Sequence, residues 1–118
     1  MMLVVDAAAH VPPYEQVRAQ IAGLVATGEL SPGHRLPTVR RLAGDLGLAV
    51  NTVARAYREL EQAGVVETRG RRGTFVAVRG ADRDRELRLA AEVYARRVRE
   101  LGAGAEAALR AAGAALDA

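Results

Sequence analysis

Residues 38–64 read TVRRLAGDLGLAVNTVARAYRELEQAG, and two apolar stripes divide them. The first is Val39, Leu42, Ala43 and Leu46 at helical spacing, with Thr38 placed to cap the helix and Gly47 to end it. The second is Val53, Ala56, Tyr57 and Leu60, followed by Gly64 as a natural first residue beyond a helix. Only a few residues separate the two periodic segments. Two short helices joined by a tight, glycine-containing turn are the sequence form of a helix-turn-helix.

Upstream, residues 1–12 read as a loose lead-in that ends in Val11, Pro12 and Pro13, and proline suits a first helical turn. Val17, Ile21, Leu24 and Val25 then form one helical stripe, stopped at Gly28. Ser31, Pro32 and Gly33 read as a turn, and Leu36-Pro37 as the end of an extended link. Downstream of Gly64 the period changes. Val65–Thr68 and Thr74–Val78 are β-prone runs around Arg69-Gly70-Arg71-Arg72-Gly73, a hairpin with a glycine-rich basic tip. Three helices followed by a hairpin give the order of a winged helix.

The remainder differs in character. Asp82 or Asp84 is placed to cap a helix whose apolar positions are Leu87, Ala91, Tyr94, Val98 and Leu101. Their spacings of 4, 3, 4 and 3 make a seam of about two heptads. Gly102, Ala103 and Gly104 break it, and a second small helix carries Ala105, Leu109, Ala112 and Leu116. Two alanine-lined helices this short do not fold alone, so their apolar faces need the winged domain, a second subunit or both. The expected fold is therefore mainly α with a small β-hairpin. A winged helix-turn-helix over 11–79 precedes a short helical dimerisation tail over 80–118.

Charge follows the same division. The 118 residues carry 17 arginines, no lysine and 14 acidic residues, a net of +3. Residues 34–79 hold nine of the arginines against Asp45, Glu59, Glu61 and Glu67, a local net of +5. Residues 80–118 carry seven of each sign and cancel. The arginine-only usage and the 25 alanines fit a GC-rich genome, which accounts for the composition but not for the placement.

Composition also excludes several classes. Without cysteine there is no disulfide framework, thiolate zinc site or cysteine nucleophile. The longest uncharged run is the ten residues Ala19–Gly28, far short of the roughly 20 that span a bilayer. The start, Met1-Met2-Leu3-Val4-Val5, lacks the basic region of a secretory signal, so a cytoplasmic, nucleoid-associated protein is expected, with no membrane partner. His10 and His34 stand alone, and no Ser/His/Asp set or phosphate loop is visible. No metal, cofactor or enzymatic activity is expected. Asp82, Asp84 and Glu86, alternating with Arg83, Arg85 and Arg88, read as a capped, salt-bridged surface.

The third helix is where chemistry enters. Opposite its apolar stripe the sequence places Asn51, Thr52, Arg55, Arg58, Glu59 and Gln62. Asn pairs with adenine, Arg with guanine, and Thr with a thymine methyl or a phosphate, each good pair discriminating by roughly 1–3 kcal/mol. The helix N-terminus offers unpaired N–H groups and partial positive charge to a phosphate. Arg40 and Arg41 open the preceding helix, where a helix crossing the backbone makes phosphate contacts. Gly70, Arg71 and Arg72 form a tip suited to a narrow minor groove. A single charged helix face is ordinarily just solvated. Three basic elements coinciding with the turn spacing favour double-stranded DNA.

These residues also resemble a family. PYEQV at 13–17, GELSPGHRLPTVR at 28–40, NTVARAYRELE at 51–61, GVVE at 64–67 and GRRGTFV at 70–76 are similar to the GntR-family transcriptional regulators. The likeness runs over about 11–78 in one register. The pair Val39-Arg40, the run around Asn51 to Tyr57 and a tail of about 40 residues resemble the short YtrA-like branch. The resemblance implies a dimeric bacterial repressor on a two-fold operator, with helix 50–63 in the major groove and tip 69–73 in the minor groove. It carries family contacts onto Arg40, Asn51, Thr52, Arg55, Gly70 and Arg71. It implies that the tail helices pair two subunits, and their apolar positions put Leu87, Ala91, Tyr94, Val98, Leu101 and Leu109 in that interface. One departure stands out. Relatives often start the recognition helix with a capping Asn or Ser followed by Pro or Arg, where this chain has Ala49 and Val50; losing a cap costs about 1 kcal/mol.

Two other functions stay open on the sequence. A winged helix is also a scaffold for protein interaction without specific DNA binding. A small-molecule sensor is limited by size, because few polar groups converge in the tail. An unidentified small-molecule effector therefore stands as a partner of the regulator, not as its main function.

Overall fold

Helix α1 (Pro13–Thr27) begins on the proline that the sequence placed there and ends at Gly28. It turns Val17 and Ile21 fully inward. Helix α2 (Val39–Leu46) is capped as expected: the Thr38 hydroxyl accepts a hydrogen bond from the Arg41 N–H at 3.1 Å. Gly47 ends it at φ 66°, a left-handed conformation that costs a side-chain-bearing residue about 1–2 kcal/mol. Two further residues lead to α3 (Val50–Gln62), which buries Val53, Ala56, Tyr57 and Leu60. The helix-turn-helix is thus formed by the two stripes in residues 38–64.

Strands β1 (Val66–Thr68) and β2 (Thr74–Val76) pair antiparallel, with Val66 opposite Val76 and Thr68 opposite Thr74. A 3-10 turn over Gly70–Arg72 forms the tip. The strands are shorter than the β-prone runs only at the far end, where Val65, Ala77 and Val78 fall outside them, although Ala77 N–H still donates to Val65 O at 3.0 Å. The link before α2 adds a third edge. Gly33 N–H donates to Val76 O at 2.9 Å, Val76 N–H to His34 O at 2.8 Å, and Leu36 N–H to Thr74 O at 2.8 Å. Arg35 consequently bridges Phe75 on the side of β2 away from β1.

One core joins these elements. Leu3, Leu30, Leu36, Leu42, Val66 and Val76 close around the buried faces of α1 and α3. Full burial of such side chains contributes roughly 1.5–3 kcal/mol each. The participation of Leu3 corrects the expectation of a loose lead-in. Gln20 clasps the Val4 backbone from both sides, its amide donating to Val4 O at 2.7 Å and its oxygen accepting from Val4 N–H at 3.0 Å. Gln16, one turn earlier, does the same to Asp6 at 2.8 Å in each direction. Alternate residues of an extended arm are held by side chains four apart on a helix, which leaves Leu3 directed into the core.

The structure, a computed structural model, describes residues 1–78 and 80–118. Residue 79, which the sequence reading takes as the end of the first domain, lies outside them. Contacts separate a first unit, Met1–Val78, from a second, helical one. In the second, α4 (Gly80–Glu100) and α5 (Ala105–Leu116) are joined by a turn at Gly102. Because α4 already starts at Gly80, Asp82 lies in its first turn and Asp84 beyond it; neither is the cap. Among the described residues, the ion pairs found lie outside the charged run 82–88. Tyr94 ties the two helices by donating its hydroxyl to Ala108 O at 2.8 Å. Among the described residues, no helix is long and apolar enough to cross a membrane.

Candidate nucleic-acid interface

The candidate residues of the first unit fall on three structural elements. Arg40 and Arg41 are exposed in the first turn of α2. Arg41 reaches Asp45 one turn on, at 3.7 Å, an exposed pair of small energetic weight. Arg40 is in none of the ion pairs found among the described residues.

On α3 the exposed residues include a row of Asn51, Arg55, Arg58 and Gln62, at spacings of 4, 3 and 4, with Val50 and Glu61 exposed beside it. Thr52 and Glu59 depart from that row. At 100° per residue they lie well round the helix, and both are half-buried. Glu59 Oε2 is shielded from solvent without a hydrogen-bond partner, so Glu59 is not part of the solvent-facing row the sequence reading assigned it to. Arg55 is not free either. Its guanidinium stacks over the Tyr14 ring of α1 at 3.7 Å, a cation–π contact that holds an otherwise flexible side chain in place.

The start of α3 is bare. Ala49 adopts the extended conformation of a cap residue but makes no side-chain cap bond, and Val50 beside it is exposed. The first N–H groups of the helix therefore point outward with the positive end of the helix dipole, a setting that suits a phosphate oxygen.

At the wing, Gly70 opens the 3-10 turn, and Arg71 and Arg72 stand exposed on it. Arg69 behaves differently. It donates to Glu67 at 2.8 Å and lies over the Phe75 ring at 4.3 Å, so it fastens the hairpin. Arg35, which the sequence reading passed over, lies at the same place. A Cβ added at Gly73 would come within 3.0 Å of Arg35 Nε, so the arginine side chain packs on the bare glycine. No local signal marks Arg35, because its neighbours come from the hairpin some 40 residues on.

The tail candidates occupy α4, the turn and α5. Leu87, Leu101 and Leu109 are 63%, 65% and 74% exposed, Tyr94 and Ala91 are exposed, and Val98 is half-buried. Tyr94, Ala95, Val98, Ala105, Ala108 and Leu109 line a groove of about 370 Å³ between the two helices.

A helix-turn-helix followed by a basic hairpin defines a winged-helix regulator. Residues 13–76 match the gntR family of bacterial regulatory proteins, and the chain belongs to that family. It is 52% identical over 106 residues to the HTH-type transcriptional regulator Rv1152 of Mycobacterium tuberculosis, covering 90% of this chain and 87% of the relative. It is 41% identical over 76 residues to the HTH-type transcriptional repressor YtrA of Bacillus subtilis, covering 64% and 58%. Among solved structures it resembles YtrA from Sulfolobus acidocaldarius, a GntR-family transcription factor, with a TM-score of 0.63 and 30% identity over 79% of this chain and 98% of that one. It also resembles the AraR DNA-binding domain in complex with operator ORX1, with a TM-score of 0.58 and 25% identity over 65% and 96%. The chain is a GntR-family transcriptional regulator of the YtrA-like kind.

Proposed function

We propose that the chain binds a two-fold symmetric DNA operator as a homodimer and represses transcription by occupying it. The observation that carries this reading is the concentration of three exposed basic elements on one unit: the start of α2, the outer row of α3 and the wing tip. Residues 11–79 form the DNA-binding domain and residues 80–118 the dimerisation tail. The operator complex of AraR and the repressor name of the Bacillus relative support the reading.

Each element has its own task. Helix α3, over about 50–63, lies in the major groove. Arg55, held by Tyr14, and Asn51 read base edges, while Thr52 and Arg58 contact bases or phosphates along the same groove. Arg40 and Arg41 grip the phosphate backbone. Gly70, Arg71 and Arg72 enter the minor groove, where a narrow groove attracts arginine. No step of this function is a chemical reaction, and it places the protein in the cytoplasm, at the nucleoid.

The tail doubles the contact. A single head offers few base contacts, whereas two linked heads meet their half-sites at high effective concentration. The exposed apolar side chains at Leu87, Ala91, Tyr94, Leu101 and Leu109, with the half-buried Val98 among them, are the surface that a second copy covers. A small effector, on this reading, acts at the apolar groove between α4 and α5.

Selection of bound duplexes from a random pool tests the reading. The expected product is an inverted repeat with half-sites about 34–36 Å apart, or a multiple of that. A pool that converges on no shared sequence, or on an asymmetric one, contradicts it.

A further inference from the structure

We propose that Arg35 is a DNA phosphate contact that joins the wing to the helix-turn-helix, an inference that rests on the DNA-binding reading above. Three observations place it there. The backbone at 33–36 is hydrogen-bonded to β2, so Arg35 is carried by the sheet and not by a free loop. Its guanidinium lies on Gly73 at the base of the wing tip, in a space that any side chain would fill, since a Cβ there would lie 3.0 Å from Nε and 3.3 Å from Nη2. On its other side Arg35 borders the cleft that Thr38 and Arg41 line at the start of α2.

The charge on Arg35 is available, whereas that on its wing neighbour is engaged. Arg69 is ion-paired with Glu67 and covered by Phe75. Arg35 is exposed and enters none of the ion pairs found among the described residues. The acid of the cleft, Asp45, is paired with Arg41. Arg35 therefore presents a pre-positioned cation between the two groups assigned to phosphates and the minor groove. DNA lying against both α2 and the wing runs its backbone past that point. The contact carries no base information, so it strengthens binding to every sequence alike.

The test compares the full chain with Arg35→Gln and Arg35→Lys. Binding to a selected duplex and to a scrambled duplex of equal length is measured at several salt concentrations. Arg35→Gln is expected to lose about 3–10-fold on both duplexes and to reduce the salt slope by about one ion. Arg35→Lys keeps the charge and is expected to keep the wild-type slope. A Gln variant with unchanged slope overturns the proposal, as does a loss confined to the selected duplex. So does a Lys variant as weak as Gln with a lowered unfolding temperature, because that outcome assigns Arg35 to propping the wing. Wild-type protein that binds neither duplex removes the DNA-binding reading itself, and the proposal with it.

Discussion

Tyr57 shows what a single residue contributes here. Its ring is buried between the helices, and its hydroxyl donates to Pro37 O at 2.6 Å. That bond fixes the link before α2 to the middle of α3, and so sets where α2 begins. Tyr57→Phe is expected to lower the unfolding free energy by about 0.5–1.5 kcal/mol in denaturant titrations, and an unchanged midpoint would show that the hydroxyl is not the tie. Burial also pushes the phenol well above its usual range. The folded state thus holds the proton more tightly than the unfolded one. The associated stability is complete below about pH 10 and falls as pH rises toward the folded value. At this scale the sequence reveals what is local. The Thr38 cap and the buried position of Tyr57 follow from spacing alone. The Pro37 partner lies 20 residues away, and Arg55 on Tyr14 and Arg35 on Gly73 join segments about 40 apart, so no local pattern predicts them. The misplacement of Glu59 has a different cause. A face drawn as everything opposite the stripe takes in residues that lie at its flank.

At the scale of elements, each apolar stripe in residues 13–62 became a helix, since helical spacing and a stop residue are both sequence properties. The tail helix began earlier than its acidic residues suggested. A carboxylate favours the first turn through the helix dipole as well as capping it, so Asp82 fits either place. The strands match the β-prone runs at the tip and stop short at the far end, where Val65, Ala77 and Val78 lie outside them. Gly73, at φ 110° beneath Arg35, has both the backbone freedom and the empty space that only glycine combines. The elements also differ in what they are expected to do to DNA. Arg40→Ala on α2 is expected to weaken binding to all duplexes alike and to reduce the salt slope by about one. Arg55→Ala on α3 is expected to cost about 1–3 kcal/mol on the selected duplex and to relax base preference at one position per half-site. Competition binding with single-position operator variants separates the two. Matching profiles for both variants would contradict the assignment of reading to α3 and gripping to α2.

For the molecule as a whole, the net charge of +3 says less than its distribution. The first unit carries the basic elements, and the second carries equal numbers of acids and arginines over residues 80–118 with apolar side chains uncovered. Leu87 and Leu101 are more than half exposed within the single chain, so replacing them should not unfold it. Sedimentation equilibrium is expected to give a dimer for the wild type and a monomer for Leu87→Arg combined with Leu101→Arg. A dimer that survives both charges removes the tail from its assigned role. The central claim is sequence-specific DNA binding, and the most direct measurement is the affinity ratio between a selected duplex and a scrambled one at about 0.15 M salt. A ratio of 10³ or more is the expected result for a specific regulator, and a ratio near one would contradict the account.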